Sequence, residues 1–280
     1  MIDPVAFTIG PLAVRWYGIC VAAGLVAGFN LQLWRAKKYG FTHDQVSDIT
    51  FLAMGAGLVG ARLLYVIRFW QQEFAGNFLD VFKIHRGGLV FYGGFLGAVL
   101  ALVIFARRRR WAVWRIADLV APALALGHAF GRIGCLINGC CFGFPYDGPC
   151  AVSYPAYVGG FLNSAAVVQA EQGLLTLTRD TIWSVPTFPL QAIAAVGNVL
   201  ICLLLLWMEK RQWFRQRLFL AYLIMYTVGR FLLEFGRGDY LVKTAGLTPS
   251  QITCLWLLPA SIAVYAGAAI WQRRHPQTTP

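Results

Sequence analysis

The sequence predicts an all-α polytopic membrane protein, and three observations carry that reading. The chain of 280 residues is 58% hydrophobic and 13% charged, with a mean hydropathy of +0.60, too apolar for a water-soluble domain. Apolar segments of about twenty residues recur seven times, the length that crosses a hydrocarbon core. Lysine and arginine gather in alternate connections between those segments, as in a chain threaded back and forth across a bilayer.

The first span, Trp16–Trp34, follows acidic Asp3 and lacks a basic leader, so it reads as a retained helix and not a cleaved signal. The second, Ile49–Ile67, carries Gly55, Gly57 and Gly60; the third, Gly88–Ala106, carries Gly93, Gly94 and Gly97. Small residues spaced by about four let neighbouring helices approach closely. The fourth, Ile116–Ile137, begins near Asp118 and runs into GRIGCLINGCCFGFPYDGPC, Gly131 to Cys150. The longest connection follows, about residues 139–187, without a strong period and large enough for an extramembrane substructure. The last spans are Phe188–Met208, Leu218–Phe235 and Ile252–Trp271. No internal repeat is evident, so residues 1–280 read as a single integral membrane domain with the 139–187 loop as its subdomain.

The basic residues orient the chain. Connections after spans one, three and five hold Arg35, Lys37 and Lys38, then Arg107 to Arg110 with Arg115, then Lys210, Arg211, Arg215 and Arg217; Arg273 and Arg274 follow the last span. The opposite side holds Lys83, Arg86, Arg179, Arg237 and Lys243. Fourteen against five predicts an N-terminus outside, a cytoplasmic C-terminus, and an outer 139–187 loop. The same distribution accounts for the net charge of +12, so no nucleic-acid partner is expected.

Five basic residues remain in or at the ends of spans. Arg15 and Arg68 lie near the ends, where the guanidinium snorkels to water. Arg62, Arg132 and Arg230 lie deeper, where a charge costs about 2.5–3.5 kcal/mol on insertion scales and calls for a polar cavity or a counter-ion. Glu234 is four residues beyond Arg230, the spacing of an internal ion pair, and Tyr226 shares that helix face. Arg132 has no acidic residue within four positions, so an anionic ligand is expected there; His128 shares its face. That histidine reads either as a functional imidazole or as a hydrogen-bonded core group.

These residues fall in motifs that resemble, in order, those of the bacterial prolipoprotein diacylglyceryl transferases. VRWYGI at Val14–Ile19 looks like the family's first-helix opening, and GARLLYV at Gly60–Val66 like its second-helix motif. GGLVFYGGFLG at Gly87–Gly97 resembles the third-helix glycine motif. GRIGCLINGCCFG at Gly131–Gly143 resembles the signature GRIGNFINGExxG, and YTVGRFLLEFGRGD at Tyr226–Asp239 the sixth-helix arginine–glutamate motif. The resemblance implies transfer of the diacylglyceryl group of phosphatidylglycerol to the lipobox cysteine of a preprolipoprotein, at the bacterial inner membrane, with glycerol phosphate leaving. It implies that Arg132 and Arg230 hold the phosphate and that Tyr17, Asn138, Gly143, Tyr226 and Glu234 line the lipid site, with Arg62 and Arg237 as further candidates. Tyr92 stands where the family has histidine, and Cys135 and Cys140 where it has asparagine and glutamate. The proton acceptor is therefore expected to be His128 or Tyr92. The fifth-helix motif HPxQLYE survives as FPLQAIA, Phe188–Ala194.

Rival readings are a transferase of the same fold with another lipid donor or acceptor, a non-enzymatic anion or lipid binder, and a redox or zinc centre on the cysteines. The cysteines at 135, 140, 141 and 150 lack the C-x-x-C spacing, so no metal and no cofactor is expected. Instead Cys150 is expected to bridge to Cys140 or Cys141 and pin the turn, since disulfides persist in an oxidising exterior.

Overall fold

The computed structural model describes residues 4–10, 12–74, 76, 78–83, 88–158, 161–178, 180–213, 217–239 and 246–274. Their helices are α1 (Trp16–Arg35), α2 (His43–Arg68), α3 (Phe91–Arg108), α4 (Val113–Asn138), the short α5 (Ser164–Glu171), α6 (Leu190–Lys210), α7 (Leu218–Glu234) and α8 (Pro249–Arg274). Each predicted span coincides with a long helix. Five are long and apolar enough to cross a membrane: Trp16–Tyr39, His43–Arg68, Val113–Asn138, Leu190–Lys210 and Pro249–Gly267. At 18 and 17 residues, α3 and α7 are the shortest of the long helices. The protein is thus a mostly helical, polytopic membrane protein.

Its surface supports this. Val26, Phe51, Val59, Leu96, Leu100, Leu232 and Trp256 are all more than 60% exposed, whereas Ala121, Ala123, Ala125, Ala129, Ala194 and Ala195 are buried. Large apolar side chains outside and small ones between helices suit a hydrocarbon solvent, in which helices gain by close packing.

Packing divides the chain into two compact units. In the unit Phe29–Leu119, α2 begins with a capping box: Thr42 Oγ1 accepts from Gln45 N–H at 3.3 Å and Gln45 Oε1 from Thr42 N–H at 3.0 Å. Helices α2 and α3 meet through glycines; a methyl group on Gly97 would lie 2.6 Å from Ala56 O. Arg35 is 3% exposed, and its guanidinium donates to Leu119 O at 2.5 Å and Asp118 O at 3.0 Å. The latter carbonyl lacks its helical donor because residue 122 is proline. Arg35 is therefore a helix-end staple and not a solvated connection residue.

The other unit is Met1–Gly28 with Val120–Pro280. It opens with an antiparallel hairpin, β1 (Val5–Ile9) and β2 (Leu12–Arg15), turning at Gly10 with φ +58°. Gly24 and Gly28 admit α4 against α1: a methyl group on Gly24 would lie 2.8 Å from Phe130 Cβ. The connection from α4 to α6 holds a two-stranded pair, β3 (Tyr157–Val158) and β4 (Phe161–Leu162), and α5. Phe142, Tyr154 and Ala165 form its buried core. Gln169, 1% exposed, locks it by donating to Val185 O at 3.0 Å and accepting from Val185 N–H at 2.8 Å.

Candidate active site

Three helix ends build the site, the ends of α4 and α7 supplying its charged side chains and the start of α8 supplying hydroxyls. On α7, Arg230 Nη2 lies 2.9 Å from Glu234 Oε2, the pair that the spacing of four predicts. The start of α8 completes it: Thr248 Oγ1 donates to Glu234 Oε1 at 2.7 Å, and Arg230 Nη2 donates to Ser250 Oγ at 3.0 Å. Thr248 also caps α8, accepting from Gln251 N–H at 3.2 Å while Gln251 Oε1 accepts from Thr248 N–H at 3.0 Å. Arg237 forks onto Asp239 through Nε and Nη2 at 2.7 and 2.5 Å, with Nη1 3.7 Å from Glu234 Oε2. Glu234 is 2% exposed, and the cations and hydroxyl around it offset the cost of burying a carboxylate.

Arg132 stands near the end of α4. Among the described residues its guanidinium has neither an ion pair nor a hydrogen bond; its electrostatic neighbours are Cys141, Cys135, Tyr226 and Arg237. His128, one turn earlier, has Nδ1 3.0 Å from Tyr222 Oη and stacks on Tyr226 with ring centroids 4.9 Å apart.

Helix α4 ends where Gly139 turns left-handed, φ +77°, and Gly139 and Cys140 N–H both donate to Cys135 O, at 3.1 and 3.2 Å. The turn folds Cys140 and Cys141 back over Cys135, and the three sulfurs lie within 4.8 Å of one another. Cys141 holds φ +60°, a conformation costly for any residue with a β-carbon. Hydrogen bonding from Cys135 and Cys140, with Arg237 and Arg132 nearby, holds the Cys141 thiol well below its ordinary range. The bridge expected from Cys150 to Cys140 or Cys141 is not formed: none of the seven cysteines is in a disulfide, and Cys150 is exposed. The turn is instead held by backbone bonds, Tyr146 N–H to Pro186 O at 3.0 Å and Ala151 N–H to Gly148 O at 3.1 Å.

Arg132, Arg230, Arg237, Tyr226 and Cys141 line one cleft of about 60 Å3, walled on the α6 side by Gln191 and Asn198. Gln191 Nε2 donates to Cys140 O at 2.9 Å and Tyr154 Oη at 3.0 Å; Asn198 Nδ2 donates to Ala194 O at 2.7 Å. The two residues are 1% and 7% exposed, yet neither amide oxygen has a partner among the described residues. An unmatched buried acceptor costs roughly 1–3 kcal/mol. Gln191 lies in FPLQAIA, the segment that resembles the family's fifth-helix motif, but was not singled out as a site residue; Asn198, Thr248 and Ser250 carried no signal in the sequence.

Gly143 pairs with Arg237 in an isolated bridge and donates to Phe188 O at 3.1 Å. A methyl group there would lie 2.6 Å from that oxygen, so only glycine lets these segments meet and seat Arg237. Tyr17, second residue of α1, lies against Gly134 and within electrostatic reach of Arg132 and the three gathered cysteines. Asn138 closes α4, its carbonyl accepting from Asn163 Nδ2 at 3.4 Å. Arg62 and Tyr92 belong to the other unit. Arg62 donates to backbone oxygens of Val81, Gly88 and Asp80 at 2.8, 3.1 and 2.7 Å, and lies over the rings of Tyr65 and Phe74. Those bonds make it a staple for the α2–α3 connection. Tyr92 is 55% exposed near the start of α3.

Fold and cleft together define a polytopic membrane protein that gathers arginines at helix ends, around a cleft suited to an anionic group. The chain belongs to the prolipoprotein diacylglyceryl transferase family, whose sequence pattern matches residues 4–267. It is similar to the phosphatidylglycerol–prolipoprotein diacylglyceryl transferase of Shouchella clausii (strain KSM-K16), 31% identical over 270 residues, 96% of this chain and 91% of that protein. The protein of the same name from Synechococcus elongatus is 34% identical over 246 residues, 85% of this chain and 78% of its own. That of Bacillus velezensis is 32% identical over 263 residues, 93% and 90%.

Proposed function

We propose that this protein transfers the diacylglyceryl group of phosphatidylglycerol to the lipobox cysteine thiol of preprolipoproteins at the bacterial inner membrane. The observation that carries the site assignment is Arg132, without a carboxylate partner among the described residues, in a cleft shared with Arg230 and Arg237. The lipid brings a phosphodiester with one negative charge. As the thiol sulfur attacks the glyceryl carbon, the carbon–oxygen bond breaks and its electrons pass to the phosphate, which leaves as glycerol phosphate. Charge grows on the phosphate oxygens in that step, and a guanidinium fork already aimed at them lowers the barrier. Arg132 and Arg230 are the phosphate ligands. Tyr226, Tyr17, Asn138 and Gly143 shape the lipid site, and Glu234 and Arg237 hold the arginines in place.

The same reading has all seven long helices spanning the bilayer as one domain, N-terminus outside and C-terminus in the cytoplasm. The alternation of basic connections supports it, and it puts the 139–187 loop and the cleft on the outer side, where lipoprotein precursors present the lipobox. Purified protein in vesicles of phosphatidylglycerol, given a lipobox peptide, should release glycerol phosphate and yield the thioether. Vesicles of phosphatidylcholine, or a peptide with serine for the lipobox cysteine, should yield neither; product from both would refute the assignment.

A further inference from the structure

The incoming thiol must lose its proton before its sulfur can attack. A free thiol has a pKa near ~8.5, so only about 3% is thiolate at pH 7. His128 Nδ1 is already engaged with Tyr222 Oη at 3.0 Å.

What the cleft does offer at that point is sulfur. Cys135 comes from the last turn of α4, and Cys140 and Cys141 from the turn that folds over it, with Gln191 fixing that turn through Cys140 O at 2.9 Å. The three sulfurs lie within 4.8 Å of one another. A zinc–sulfur bond of about 2.3 Å sets tetrahedral sulfurs about 3.8 Å apart, so each pair closes by at most about 1 Å to hold an ion. Cys141 also lines the cleft, so the fourth tetrahedral position can open toward substrate.

Charge and softness select the ion. Arg132, Arg230 and Arg237 stand against Glu234 and Asp239, which leaves one net positive charge. Three thiolates with a divalent cation carry one net negative charge, and the two cancel. A monovalent soft ion would leave excess negative charge and favour a closed three-coordinate site. Magnesium and calcium take oxygen ligands, not thiolates. The strained backbone of Cys141, φ +60°, is the kind of local cost found where a side chain is held for a task.

We propose that Cys135, Cys140 and Cys141 bind a soft divalent metal ion, zinc foremost, whose open fourth position takes the lipobox cysteine as a thiolate. This rests on the transferase reading for its substrate. On coordination the substrate thiol loses its proton, because a metal-bound thiol is deprotonated outright. A sulfur lone pair then forms the bond to the glyceryl carbon, the carbon–oxygen bond to phosphate breaks, and its electron pair leaves with the phosphate. The proton released on coordination ends on the glycerol phosphate product or in water. The thioether formed is a poor ligand and departs, freeing the position.

The test uses the full-length protein in detergent, stripped of metal under reducing conditions and titrated with cobalt(II), a spectroscopic stand-in for zinc. One cobalt per chain should bind, with a thiolate-to-cobalt charge-transfer band and the visible bands of a tetrahedral site. Cys135→Ser, Cys140→Ser and Cys141→Ser should each weaken that signal, and Cys150→Ser should leave it unchanged. A lipobox peptide should shift the bands, and its cysteine-to-serine counterpart should not. Metal removal should lower transfer about thirty-fold at pH 7, from the thiolate fraction alone, and zinc should restore it. Absence of a cobalt–thiolate band in wild-type protein with all thiols titratable, bands indifferent to the peptide, or full transfer by metal-free protein would each overturn the proposal. Cobalt binding with a peptide-dependent shift but no glycerol phosphate release would uphold the metal site and refute the transferase reading instead.

Discussion

Thr248 Oγ1 donates to Glu234 Oε1 at 2.7 Å, so the residue that caps α8 also holds the carboxylate that pairs with Arg230. One threonine thus fixes the start of one helix against the end of another, and sets the guanidinium above both. Thr248→Val keeps the shape and removes both bonds. It should cost about 1–2 kcal/mol of stability, as a lost cap does, and reduce transfer only a few-fold because Arg230 keeps its ion pair. Glu234→Ala should cost about 3–5 kcal/mol, since it strands a buried cation. Thermal unfolding in detergent, with transfer rates, separates the two.

Arg132→Lys should lower transfer by at least about 100-fold while the melting temperature stays within a few degrees of wild type. Lysine keeps the charge but replaces two parallel bonds with a point contact. Because Arg132 has no ion pair or hydrogen bond to lose among the described residues, the change should be nearly silent in stability. Full activity in this variant would mean the phosphate lies elsewhere.

Arg62→Lys should do the reverse. Its three bonds to the carbonyls of Val81, Gly88 and Asp80 close the α2–α3 connection, and lysine cannot make them together. A loss of roughly 2–3 kcal/mol is expected, from two or more charge-assisted bonds, with activity falling only as far as folded protein falls. Normalising transfer to folded protein checks it.

The contrast between the two arginines shows what a sequence can disclose. Both stood out as deep charges, and so did the Arg230–Glu234 pair, because depth and an interval of four are local properties. The long apolar helices were legible for the same reason: a twenty-residue apolar run carries its own signal. What Arg62 binds was hidden, since backbone carbonyls supplied by a connection leave no trace in residue identity. Thr248 and Ser250 were hidden because α7 and α8 meet only on folding. The cysteine cluster was hidden by its irregular spacing, which becomes a cluster only when Gly139 reverses the chain. The ordered 139–187 connection escaped too, for α5 is eight residues long and its core is three side chains.

Gly143→Ala should abolish most transfer without preventing insertion. The added methyl group would lie 2.6 Å from Phe188 O, and the strain can be relieved only by moving the bridge that seats Arg237. Rescue by a change at Phe188 is not expected, because the clash is with backbone and not with its ring. Limited proteolysis of the 139–187 connection should be faster in this variant, which distinguishes a shifted loop from a global loss of fold.

His128→Gln and Tyr222→Phe should be coupled in stability by about 1 kcal/mol in a double-mutant cycle, the worth of one buried hydrogen bond, since Nδ1 and Oη lie 3.0 Å apart. If the imidazole serves only that contact, the pH profile of transfer should keep its shape in His128→Gln. A profile that loses its limb near neutral pH would make His128 the proton acceptor.

Asn198 wall-papers the cleft with an acceptor that has no donor among the described residues, although it is 7% exposed. Natural chains keep such a group when a ligand satisfies it, and a phosphatidylglycerol head carries two free hydroxyls beside its phosphate. Asn198→Leu should therefore stabilise the ligand-free protein, by about 1 kcal/mol, because an unmatched buried oxygen is replaced by an apolar group of similar size. The same change should raise KM for phosphatidylglycerol by about ten-fold or more, the cost of leaving one ligand hydroxyl unpaired in a closed site. Gln191→Leu offers the control: its Nε2 bonds to Cys140 O and Tyr154 Oη are structural, so that variant should lose stability as well as affinity. A rise in melting temperature with unchanged KM in Asn198→Leu would show that its oxygen faces no part of the lipid head group.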